Sequence, residues 1–147
     1  SFLLGKPEEA VEQLNEAFRV LLEYGTEKDA ASAVSSLAQV SLRTGQIEPA
    51  EEQARQALKL LGDRVDAVDE IGNAQLVLGR SLMEQGRLDE AAQAFDQAEH
   101  SFDQLSSVSH RAAAWIAKGD LAVRRGQDQM AAQLYRRAAE ALQDFRF

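Results

Sequence analysis

The chain has 147 residues, 45% of them hydrophobic and 27% charged, with a formal net charge of −8 and no cysteine. One domain of that length buries roughly two-thirds of its unfolded surface without a metal or disulfide staple. The charge argues against a nucleic-acid face or an anionic membrane as partner, the missing cysteine excludes disulfides and thiolate catalysis, and no apolar run approaches the ~20 residues of a spanning helix.

Helix formers dominate, and seven helices are expected in chain order, at about 7–24, 28–44, 47–61, 65–85, 88–104, 109–125 and 128–144. The opening Ser1–Leu4 is too short for a signal peptide and reads as the tail of a preceding eighth helix, so the chain is expected to be part of a larger protein. Its Phe2–Leu4, with Phe145 and Phe147 at the other end, are expected to cap open apolar ends or to drive self-association. Pro7 and Pro49 fall in first turns, where a missing N–H costs little. Thr26 with Asp29, and Asp63 with Asp66, have the spacing of an N-cap and an acidic third residue. The segment 103–109, DQLSSVS, is the most loop-like.

Four glycines punctuate this series. Gly5, Gly45, Gly86 and Gly126 lie 40, 41 and 40 residues apart. Five residues after each comes an alanine (Ala10, Ala50, Ala91, Ala131), and seven further on another (Ala17, Ala57, Ala98, Ala138). Between them stand Leu14, Ala54, Phe95 and Tyr135. The spacing is one face of a helix. A glycine just past a helix takes the left-handed conformation freely, and small alanines let two antiparallel helices approach. Seven residues before the turn glycine stand Ala38, Gly79 and Gly119. The two glycines sit in mid-helix at a cost of about 1 kcal/mol each relative to alanine, which close packing must repay.

These columns resemble the tetratricopeptide repeat. The last copy matches best, with Trp115, Gly119, Gly126, Ala131, Tyr135 and Ala138; the third has Leu78, Gly79, Gly86, Ala91, Phe95 and Ala98. The second departs at Ala38 and Ala54, and the first keeps only its second helix. The period of 40–41 is longer than the usual 34, and is similar to the lengthened subtype of bacterial regulators and signalling adaptors. The resemblance implies an all-α, right-handed superhelical solenoid of antiparallel helix pairs, about three and a half repeats in one domain, with a partial repeat at 1–24 and repeats at 27–62, 65–104 and 109–145.

It also implies a concave groove lined by the first helix of each pair. The family's groove positions map to Ser32, Ser35, Gln39 and Arg43; to Asn73, Leu76, Arg80 and Met83; and to Ile116, Asp120 and Arg124. Such a mixture suits an extended peptide, with amides for backbone, guanidinium groups for carboxylates and apolar pockets; the alternative is that these are ordinary core or solvated positions. A clamp for a C-terminal carboxylate would need a Lys/Asn set on successive first helices, which Asn73 and Lys118 do not reproduce.

Catalysis is not expected, nor a metal or cofactor. His100 and Asp103 have the spacing of a proton relay or half a metal site, but His100 and His110 are the only histidines and such a pair is more often a solvated helix end. Arg124, Arg125, Arg136 and Arg137 form a basic cluster that either meets an acidic partner or balances helix ends and neighbouring glutamates. The sequence therefore reads as a non-catalytic, cytoplasmic module that binds a protein or peptide segment. The alternatives are the sensing or dimerisation domain of a helix-turn-helix regulator and a scaffold or homodimer joined through its repeat ends.

Overall fold

A computed structural model describes residues 7–24 and 27–145; in the first helix, side chains are described at Glu9, 11–17, Arg19 and Val20. The helices are α1 (Pro7–Tyr24), α2 (Glu27–Arg43), α3 (Ile47–Leu61), α4 (Val68–Glu84), α5 (Leu88–Asp103), α6 (Val108–Arg124) and α7 (Asp128–Phe145), with a 3₁₀ turn at Val65–Ala67 before α4. Phe2–Leu4, Gly5, Thr26, Phe147 and the side chain of Phe145 lie outside the described residues.

The glycine-to-alanine motif is a helix stop fused to a helix start. Gly45, Gly86 and Gly126 have φ of +80°, +77° and +72°. That geometry lets the next amide reach back five residues, Gln46 to the Ser41 carbonyl (2.8 Å), Arg87 to Leu82 (3.0 Å) and Gln127 to Ala122 (2.8 Å), closing the helix end. The carbonyls of the same three residues then accept from Ala50, Ala91 and Ala131, at 3.0 Å each, and so open the following helix. A Cβ on Gly86 would meet nothing within 4 Å, so Gly86→Ala has only a backbone penalty. Urea denaturation is expected to show a loss of about 1–2 kcal/mol; an unchanged midpoint would contradict the left-handed geometry.

The pairs α2/α3, α4/α5 and α6/α7 form antiparallel hairpins, and each second helix also packs on the next first helix. The first helices α2, α4 and α6 adjoin directly. Polar bonds join them: Ser32 Oγ to Glu70 (2.7 Å), Arg80 to Asp120 (2.9 Å), and Arg124 to the Met83 carbonyl (3.4 Å) and Glu84. First helices thus form one layer, and α1, α3, α5 and α7 the other. The core between them is rich in alanine, with Phe95, Phe102, Leu37, Leu61 and Leu82 as its largest enclosed side chains.

The mid-helix glycines are repaid by aromatic rings. A Cβ on Gly79 would fall under 3.0 Å from the Phe95 ring, and one on Gly119 under 3.0 Å from the Tyr135 ring. Gly72 faces Phe102 in the same way, one heptad from the Gly79–Phe95 pair along both helices. The second repeat makes the opposite choice, Ala38 facing Ala54, both buried.

The Asp63–Asp66 cap does not form. The 3₁₀ turn intervenes, so the residue before α4 is Ala67, and no side chain caps α4. Asp66 instead accepts from Arg64 at 3.2 Å and pairs with Lys28. Among the described residues a side-chain cap forms at Ser107, whose hydroxyl accepts from the His110 amide at the start of α6.

Candidate binding surfaces

The expected groove residues divide by burial. Gln39 and Arg43 on α2 and Arg124 on α6 are exposed, and Asn73, Leu76, Arg80 and Asp120 are half-buried. Ile116 is exposed, while Ser35 and Met83 are buried. Met83 is 3% exposed and packs in the main core beside Ala117 and Leu121, whereas Val123, one 40-residue step later, is 51% exposed. The difference is positional: α6 lies over α4, and no described helix lies over α6 in the same way. Leu76 likewise packs beneath Phe102 and Ala114, leaving part of its side chain open.

The polar members are partly engaged with each other. Asp120 accepts from Arg80 on one oxygen and from the Tyr135 hydroxyl on the other, at 2.9 and 2.6 Å. The Asp120 bond raises the Tyr135 pKa, because loss of the phenolic proton would place two anions together. Asp120 is therefore a bracket between repeats, and Arg80 is half-committed to it. Among the described residues Arg43 has no ion pair, so its guanidinium is available to a carboxylate.

The histidines lie elsewhere. His100 and Asp103 are exposed in the last turn of α5, and the His110 ring packs at 5.0 Å from that of Phe102. Among the described residues no three His, Cys, Asp or Glu side chains converge on a possible metal position, and no helix is long and apolar enough to cross a membrane.

The second-helix layer carries features outside the expected groove. A cavity of about 480 Å³ opens between α5 and α7 with α6 as its floor. Beside it, Trp115 donates to Glu99 at 2.9 Å while the Arg137 guanidinium stacks 4.3 Å over the indole. Lys118 bonds Glu99 and pairs with Asp96 at 2.7 Å. Burial works against the Glu99 carboxylate, but the bonds from Lys118 and Trp115 outweigh it and hold its pKa below the ordinary range.

Two stretches, residues 37–106 and 76–144, match the family model described as Tetratricopeptide repeat. The chain belongs to the tetratricopeptide repeat family. Repeats of this family generally mediate protein interactions. Among solved structures, the crystal structure of BtubC (BKLC) from P. vanneervenii is similar, with 20% identity and a TM-score of 0.80 over 97% of this chain. This chain spans 59% of the length of that one. At that identity the likeness concerns the fold, an all-α helical repeat solenoid. No curated protein matches the sequence.

Proposed function

We propose that this tetratricopeptide array is a non-catalytic binding module that holds a peptide segment along its first-helix layer. The carrying observation is the pairing on that layer of an available cation, Arg43, with an exposed apolar side chain, Ile116. On the intervening α4, the half-buried Asn73 suits a main-chain contact. A ligand-sensing domain of a larger regulator would use the same surface.

A phage-displayed peptide library selected on the whole chain tests this reading. Arg43→Ala and Ile116→Asp are each expected to weaken the selected peptides about tenfold, the loss typical of an interface anchor, without altering the thermal midpoint. Selected peptides that ignore both substitutions would overturn it.

A second reading has its own support. Val123 and Leu142 are exposed where their counterparts one repeat earlier, Met83 and Phe102, are buried. Self-association through this face would cover them. Light scattering across concentrations distinguishes the readings, since only the second requires a dimer that Val123→Asp dissolves.

A further inference from the structure

The same furrow occurs twice in the second-helix layer. Between α3 and α5 the stretch bordered by Arg55, Leu82, Glu90, Ala94 and Gln97 encloses about 200 Å³, and past Gln97 the furrow widens towards Leu58 and His100. One repeat later the corresponding positions, Asp96, Ala122, Met130, Leu134 and Arg137, border the 480 Å³ cavity between α5 and α7.

The chemistry of these columns explains the difference. In the first furrow Glu51 accepts from Arg87 and Gln85 at 2.9 Å each and from Arg55 at 3.0 Å. Glu90 takes Arg87 at 2.8 Å and faces Arg55 at 3.9 Å. This polar cluster ties α3 to α5 across the gap, and Leu82 fills the floor. In the second furrow Ala92 stands in the Glu51 column, Asp96 in the Arg55 column, Arg125 in the Gln85 column, Gln127 in the Arg87 column and Met130 in the Glu90 column. The cluster is gone, the floor is reduced from Leu82 to Ala122, and Met130 is 50% exposed at the rim.

The border of this opened furrow is basic in an otherwise acidic chain. Its lining holds Lys118, Arg125 and Arg137 with one carboxylate, Asp96, while Glu99 and Asp89 stand just outside it. Lys118 is engaged by Asp96 and Glu99, and Arg125 by the exposed Asp89 at 2.6 Å. Arg137 rests on the Trp115 face, and among the described residues no carboxylate lies within ion-pair distance of it.

We propose that the furrow between α5 and α7 is a second protein-docking site and that its occupant is an acidic amphipathic helix. The furrow follows α7 from Gln127 to Arg137, about 15 Å at 1.5 Å per residue, which matches some three turns of a docked helix. A bulky apolar residue of that helix sits on Ala122 between Met130 and Leu134, and carboxylates flanking it meet Arg137 and Arg125. The site is separate from the first-helix layer and does not depend on its occupancy.

The test uses the whole chain and a defined probe, the end-capped peptide EELAELLAEE, against its counterpart with every Glu replaced by Lys. Binding is read by polarisation of labelled peptide and by the emission of Trp115, the single tryptophan. The glutamate peptide is expected to bind saturably, more weakly as salt rises, and to shift the Trp115 emission as Arg137 turns towards it. Ala122→Leu and Met130→Glu restore the residues of the closed furrow, and each is expected to weaken binding about tenfold, as is Arg137→Gln; Arg43→Ala leaves it unchanged. Met130→Glu is a solvent-facing change that keeps the fold, so its effect stands if Ala122→Leu perturbs packing. Equal binding of the lysine peptide, no saturable binding, or an unchanged affinity in Met130→Glu would overturn the proposal.

Discussion

Phe95→Ala is expected to lower the free energy of unfolding by about 3–5 kcal/mol, the range for emptying a fully enclosed aromatic site. Phe95 is 0% exposed and its ring lies directly over Gly79. Gly79→Ala is expected to cost about 1–3 kcal/mol, because the added methyl overpacks the ring, although alanine is the better helix former by about 1 kcal/mol. Combined, the two changes are expected to cost clearly less than their sum, since the methyl then enters space the ring has left. The second repeat already has that combination, Ala38 against Ala54. Urea denaturation of the four proteins closes the cycle. Additive losses would mean that Gly79 and Phe95 do not share one contact and that the small-residue column has another cause.

That pairing shows why the architecture was legible. The glycine and aromatic columns are two halves of one steric contact, so each repeat records it in sequence even where the halves are exchanged for two alanines. The turn glycines record backbone geometry equally directly, and the expected helix limits fall within a residue or two of the observed ones, apart from the 3₁₀ turn leading into α4. Gly72 over Phe102 forms no column in the sequence, because neither neighbouring repeat has a glycine there: Ala31 and Ala112 stand in its place.

The site was less legible, because exposure depends on what lies next to a helix rather than on its own pattern. Met83 and Val123 share a column, yet one is core and the other surface. Asp120 reads as an open carboxylate until Arg80 and Tyr135, distant in sequence, are placed on it. The furrow between α5 and α7 is defined by what its columns lack relative to the repeat before. It therefore becomes visible only once Glu51, Arg55, Gln85, Arg87 and Glu90 are seen to form one cluster.

Trp115→Ala is expected to cost about 3–5 kcal/mol by cavity formation, and also to strand Glu99. Trp115→Phe separates the two effects. It keeps most of the buried ring but removes the Nε1 donor, so Glu99 retains only Lys118, and a loss of about 1–3 kcal/mol is expected for the broken charge-assisted bond. The pH dependence identifies the group concerned. The folded Glu99 pKa lies below its ordinary value, so its contribution is complete above the unfolded glutamate pKa of about 4.3 and fades as pH falls through the lower folded value. The difference in stability between the natural chain and Trp115→Phe should therefore be constant above about pH 5 and shrink on further acidification. In the background of Glu99→Gln, which removes the titrating carboxylate, that shrinkage should disappear. If the difference instead stayed constant into acid, the Trp115 donor would be stabilising the fold by some route other than the Glu99 carboxylate, and the link it makes between α5 and α6 would be one of packing alone.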